Sequence, residues 1–180
     1  MPRIFTIGHS NHPFERFLEL LQQHSVEQLV DIRRFPGSRK HPHFNREALQ
    51  KLLEAAGIRY RWLESLGGRR KAGTTPSLNL GWRNSSFRNF ADYMGTGEFR
   101  RGIAELLESP GPRRAAVMCA EGLWWQCHRR LVSDYLTVQG IEVDHIMPDG
   151  QLRRHVLTPG AVVSGDRVTY PAPSSLFDDE

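Results

Sequence analysis

A chain of 180 residues, 39% hydrophobic and 24% charged, has the composition of one soluble globular domain with a single core. It holds no run of about 18 apolar residues and no charged-then-apolar leader, so neither a membrane span nor a secretory signal is expected. The formal net charge is +4, and the two cysteines, Cys119 and Cys127, suit reduced thiols in a cytoplasmic protein better than a secreted disulfide framework.

Strand and helix periodicities alternate along the chain. Arg3 to Ile7 reads as a short strand ending in Gly8-His9-Ser10, and Pro13 then opens a helix with Phe14, Phe17, Leu18 and Leu21 on one face. Gln28 to Arg33 is a second strand, followed by a polar loop from Phe35 to His43. Asn45 is positioned to cap a helix bearing Leu49, Leu52 and Leu53 that stops near Gly57, and Ile58 to Leu63 reads as a third strand. Ser65 to Ser86 lacks any apolar period, and a loop of that length suggests a mobile flap. Two helical stripes follow, Phe87 to Met94 and then Phe99 to Leu107, the second closed by Pro110. Ala115 to Met118 is a fourth strand, Leu131 to Val138 a helix ended by Gly140, and Ile141 to Ile146 a fifth strand.

This order implies a single α/β domain over residues 1–150: a mostly parallel sheet of about five strands with helices on both faces and the first strand central. Residues 151–180 read as a C-terminal extension. A hairpin is expected there between Val156-Leu157 and Val162-Val163 around Pro159-Gly160, then a disordered acidic end.

Charge is distributed unevenly. Arg33 to Arg101 holds 15 Lys or Arg against 5 Asp or Glu, whereas Glu142 to Glu180 holds 3 against 7. Arginine outnumbers lysine 21 to 3, which suits phosphate recognition and equally reflects a G- and C-rich genome.

In an open parallel sheet, ligands bind beyond the carboxyl ends of the strands, beside helix N-termini. There the strands present His9, Asp31 with Arg33, Glu64, Cys119 with Glu121, and His145. Cys119 reads as a nucleophile favoured by Arg129 and a helix N-terminus, or as a thiol that merely packs; the packing reading is preferred. Cys119, Cys127, His128 and His145 lack the short spacings of a metal site, so no metal and no cofactor is expected. Asp31 and Arg33 share a strand face, and with Ser38 and Arg39 they form an anion site with a carboxylate, or simply an internal ion pair. Glu121, polar at the end of a buried strand, suits a general acid or base. Trp62, Trp82, Trp124 and Trp125 are interspersed with arginines, the pattern used to stack bases and hold phosphates. At least one of the adjacent Trp124 and Trp125 is expected to face a pocket or partner.

Thr6-Ile7-Gly8-His9-Ser10, Leu29-Val30-Asp31-Ile32-Arg33 with Pro36-x-Ser38-Arg39, Leu66-Gly67-Gly68 and Phe90-x-x-Tyr93-Met94 together form a pattern. It continues through Met118-Cys119-Ala120-Glu121, Cys127-His128-Arg129 and His145-Ile146. The set resembles, in order and over about residues 3 to 150, a large family of uncharacterised microbial proteins catalogued as domain of unknown function 488. Where many members carry charged residues and a proline, this chain has Gly122-Leu123-Trp124-Trp125-Gln126. The resemblance implies a compact α/β domain and a shared site, and supplies no reaction.

The leading expectation is an enzyme acting on a nucleotide or nucleic acid. Glu121 or Asp31 would be the acid/base, with Arg33, Arg39 and Arg129 on phosphate and Trp82, Trp124 or Tyr93 stacking, beside His9 and His128. The alternatives are a thiol enzyme of sulfur transfer or dephosphorylation using Cys119, and a non-catalytic nucleic-acid-binding module.

Overall fold

A computed structural model describes residues 2–108 and 114–173. Pro110 and the acidic end at Asp178, Asp179 and Glu180 lie outside the described residues.

Five strands run parallel: β1 (Arg3–Gly8), β2 (Gln28–Asp31), β3 (Arg59–Trp62), β4 (Ala115–Cys119) and β5 (Glu142–Ile146). A sixth, β6 (Leu152–Arg154), pairs antiparallel with β5, so the sheet order is β3-β2-β4-β1-β5-β6 and β1 lies in the middle beside β4. The helices are α1 (Phe14–Gln23), α2 (Arg46–Ala55), α3 (Ser85–Tyr93), α4 (Gly97–Glu108) and α5 (Arg129–Val138). A separate hairpin joins β7 (Val162–Ser164) to β8 (Arg167–Thr169).

The central strands are apolar on both sides because both faces of the sheet are covered. Phe5, Ile7, Leu29, Ala116 and Met118 face α1 and α2, where Phe17, Leu20, Leu21, Leu49 and Leu53 meet them. Ile4, Val30, Ile32, Ala115 and Val117 point the other way, into Phe90, Phe99, Ile103, Leu106, Leu131 and Leu136 of α3, α4 and α5. The alternation Ile4/Phe5 and Ala115/Ala116 therefore splits one strand between two cores, as the two-residue period requires. Each fully buried Leu or Phe contributes roughly 1.5–3 kcal/mol relative to exposure.

Several local expectations change. Asn45 stands at the N-cap of α2, where its backbone carbonyl accepts from Leu49 N at 2.8 Å, but its side chain makes no cap bond; Oδ1 instead accepts from Ser38 N at 2.5 Å, tying the preceding loop together. Asn84 is the residue that caps a helix, its Oδ1 accepting from Ser86 N and Phe87 N of α3. Gly57 does end α2, in the left-handed region at φ +80°. The expected flap is anchored at Asn79, which is buried and bonded through its side chain to Asp92 and Tyr170.

The tail differs most from expectation. Its hairpin turns at Gly165, not at Pro159-Gly160, and Val156 is exposed rather than in a strand. Residues 152–154 join the sheet, held by Arg154, whose Nε donates to Asp144 Oδ1 at 2.7 Å. His155, Thr158, Val168 and Tyr170 are buried, so the segment closes the core beside α5.

Candidate active site

Chain direction fixes where a site can form. The connection leaving β1 runs through α1 to β2, and the one leaving β4 runs through α5 to β5 on the opposite side and face. The carboxyl ends of neighbouring β1 and β4 are thus a topological switch point, where the diverging loops leave a crevice. His9 and Cys119 stand at those two ends. The loops interlock there: His9 N donates to Cys119 O at 3.0 Å, and Ser10 N to Ala120 O at 2.9 Å. Gly8 permits the crossing, because a Cβ on it would lie 1.7 Å from the Glu121 carbonyl oxygen.

The crevice opens into a cavity of about 580 Å³ whose lining includes His9, Cys119, Ala120, Glu121, Cys127 and His128. Arg33, Arg34, Phe35, Arg69, Phe87 and Phe90 line it as well.

Cys119 and Cys127 meet in its wall. Cys127 Sγ donates to Cys119 Sγ at 2.7 Å, both thiols are buried, and Cys127 Sγ also accepts from Arg129 N at 3.2 Å. This last bond caps the start of α5 with sulfur. The two thiols are driven apart in acidity. Burial raises Cys119, but the bond from Cys127 and then the nearby Arg129 charge outweigh it, bringing the thiol down to about 7. Cys127 is pushed well above the usual thiol range, first by burial and then by its bond to Cys119. Cys119 is the more acidic thiol of the pair and Cys127 its hydrogen-bond donor.

Two histidines flank the thiols. His128 Nε2 donates to Ile32 O at 2.8 Å, and its Nδ1 lies 3.8 Å from Cys127 Sγ. His9 Nδ1 donates to Ser10 O at 2.8 Å, leaving Nε2 to accept from Arg33 Nη1 at 3.4 Å, while its ring stacks on Phe44 at 4.3 Å. Burial lowers both imidazoles to about 4, so both are neutral at pH 7.

Asp31 is committed elsewhere. Its Oδ1 accepts from Arg33 N and Nε, and its Oδ2 from Arg33 Nη2 at 2.7 Å and Tyr60 Oη at 2.5 Å. Those bonds occupy both carboxylate oxygens and leave Asp31 behind the cavity wall rather than on it. Tyr60 is pushed far up from its ordinary value, first by burial and then by the Asp31 charge. Trp62 Nε1 completes the knot by donating to Arg33 O.

The structure therefore gathers His9, Arg33, Cys119, Glu121 and His128 around one cavity, with Asp31 and Arg129 packed behind them. Glu121 is exposed on the rim and makes no ion pair among the described residues. The other candidates lie apart. Arg39 is exposed on its loop beyond the lining. Trp82 packs on Phe87 and Tyr170 beside a separate cleft of about 420 Å³. Tyr93 donates its hydroxyl to Ser65 O and carries the Arg70 guanidinium over its ring, in another cavity of about 600 Å³. Trp124 lies flat on His145 at 4.4 Å, leaving its neighbour Trp125 as the exposed tryptophan.

Sequence reasoning missed Arg34 and Phe35 in the cavity lining, although they directly follow Arg33. Among the described residues no three His, Cys, Asp or Glu side chains stand in a metal-ligand group, and no helix is long and apolar enough to cross a membrane.

Comparison with curated proteins gave no match, and comparison with solved structures gave none. Residues 13–136 match the family described as Domain of unknown function DUF488. That span runs from α1 to α5, including Asp31, Arg33, both cysteines, His128 and Arg129, and covers more than half of the chain. The chain belongs to this family of unknown function.

Proposed function

We propose that this protein is a thiol enzyme of sulfur transfer, with Cys119 as nucleophile and sulfur carrier. The observation that carries the reading is the sulfur pair itself: two thiols 2.7 Å apart in a cavity wall, at the switch point of a parallel sheet. Differently tuned acidities are what a nucleophile and its proton-donating neighbour require.

In the step envisaged, Cys119 Sγ attacks the outer sulfur of a thiosulfonate. The sulfur–sulfur bond of the donor breaks, its electron pair leaves with the sulfinate, and Cys119 becomes a persulfide. A nucleophilic acceptor then takes the outer sulfur and Cys119 returns as thiolate, with no net oxidation. Arg34 and Arg69 on the rim suit an anionic donor.

The test is turnover of a thiosulfonate with cyanide as acceptor. Cys119→Ser is expected to abolish turnover, while Cys127→Ala, which removes the donated hydrogen bond, leaves it measurable but shifted to higher pH. Full activity in Cys119→Ser excludes the reading.

One observation favours a second reading, the nucleotide or nucleic-acid enzyme. Phe35 is 65% exposed on the same rim as Arg34 and Arg69, a ring and two cations placed as a base and its phosphates would need. Glu121, free on the rim, is the acid/base in this case. Thermal shift with nucleotides tests it: stabilisation lost in Phe35→Ala supports it, and no shift with any nucleotide rejects it.

A further inference from the structure

Arg129 is almost completely buried, yet no carboxylate lies within ion-pair distance of it among the described residues. Its Nη2 donates to the carbonyls of Glu121 and Gly122 at 3.1 and 3.4 Å, and its Nη1 to Thr6 Oγ1 at 3.3 Å. Its Nε has no hydrogen-bond partner. A buried cation held only by neutral acceptors calls for an anion, since an unpaired charge in a low dielectric costs several kcal/mol.

A buried hydrogen-bonded chain extends away from Arg129. Thr6 Oγ1 meets His145 Nδ1 at 2.5 Å, His145 Nε2 meets His155 Nδ1 at 2.8 Å, and His155 Nε2 meets Asp134 Oδ1 at 2.7 Å. Thr158 N and Tyr170 Oη also donate to Asp134. All of these residues are buried. Guanidinium can only donate and carboxylate can only accept, so Arg129 donates to Thr6 Oγ1 and His155 Nε2 donates to Asp134 Oδ1. Burial, and then His155 and Arg129 nearby, hold His145 down at about 2, so its imidazole is neutral at pH 7. The chain leaves α5 at its first residue, crosses β1, β5 and the residue after β6, and returns to α5 at Asp134.

We propose that Arg129 is the counter-ion of the Cys119 thiolate, and that Thr6, His145, His155 and Asp134 are positioning residues that hold its guanidinium there. This rests on Cys119 being the reactive thiolate. Cys119 Sγ and Arg129 Nη2 meet at one atom, the Glu121 carbonyl oxygen, at 3.5 and 3.1 Å. The other groups around Cys119 are Cys127 and His128 beside α5, the Glu121 carboxylate, His9 and Arg33. Of these, Arg129 and Cys127 favour the thiolate and the Glu121 charge opposes it.

The experiment is the pH profile of Cys119 alkylation by iodoacetamide, read by peptide mass spectrometry on the full chain without any sulfur donor. Arg129→Met is expected to move the midpoint up by about one unit or more, leaving roughly tenfold less thiolate at slightly acid pH. His155→Gln cuts the chain between His145 and Asp134, and a rise in the midpoint is expected. Asp134→Asn discriminates by sign: simple removal of a negative charge lowers the midpoint, whereas release of Arg129 raises it. Tyr170→Phe keeps the chain intact and should leave the midpoint unchanged. An unaltered midpoint in folded His155→Gln, or a lowered one in Asp134→Asn, overturns the proposal. Failure of sulfur transfer with these midpoints shifted as expected would reject the enzymatic reading alone.

Discussion

At the scale of single residues, hydrogen-bond satisfaction separates the two carboxylates that looked interchangeable in the sequence. Asp31 is the last residue of buried β2, and Glu121 follows buried β4. Asp31 is saturated by Arg33 and Tyr60, whereas Glu121 stands unpaired on the rim. Removing one partner of a buried ion pair leaves the other desolvated, so Asp31→Asn is expected to destabilise the fold by about 3–5 kcal/mol, measurable by urea unfolding. Glu121→Gln is expected to leave stability unchanged within about 0.5 kcal/mol. His9 and His128 set an acid limit. Their folded-state values of about 4 lie below the ordinary 6.5, so between these pH values the unfolded chain binds more protons than the folded one. Stability is therefore full above pH 6.5 and falls as pH drops towards 4. His9→Phe should flatten that fall, and an unchanged slope would contradict the assignment.

Between elements, close approach governs the site. The β1–β4 crossing depends on Gly8, where any side chain would strike the Glu121 carbonyl. Gly8→Ala is expected to cost at least the roughly 3 kcal/mol at the upper end of overpacking penalties and to displace the Cys119 loop. A circular dichroism melt with no change in Tm would refute that geometry. The crossing was partly legible beforehand, because an apolar run ending in Gly8-His9 marks a strand end. β6 was not legible: Leu152, Arg153 and Arg154 are all exposed, so no alternation of burial marks the sequence. Its place is set by ion pairs to β5 that pattern reading does not detect. The hairpin was displaced for a similar reason. Pro159-Gly160 is a strong turn signal, but burial of His155 and Thr158 against Asp134 decides that stretch.

For the whole molecule, the parallel architecture was readable because β1, β2, β4 and β5 are short apolar runs separated by helical periods. The switch point follows from that order, which is why His9, Arg33, Cys119 and Glu121 could be placed at one sheet edge from sequence alone. The Arg129–Thr6–His145–His155–Asp134 chain could not. Its members come from β1, α5, β5 and the tail, and only folding brings them together. The wider arginine field is likewise divided by folding, since Arg69 lines the thiol cavity, Arg70, Lys71 and Arg100 line the neighbouring one, and Arg34 stands between the two.

The central claim is that Cys119 is the sulfur-carrying nucleophile of this cavity. Its most direct test is a single incubation of the full-length protein with a thiosulfonate near neutral pH, followed by peptide mass spectrometry under non-reducing conditions. The account predicts one added sulfur atom on Cys119, none on Cys127, and loss of the signal in Cys119→Ser. Sulfur found on Cys127 instead, or on neither cysteine, would contradict it.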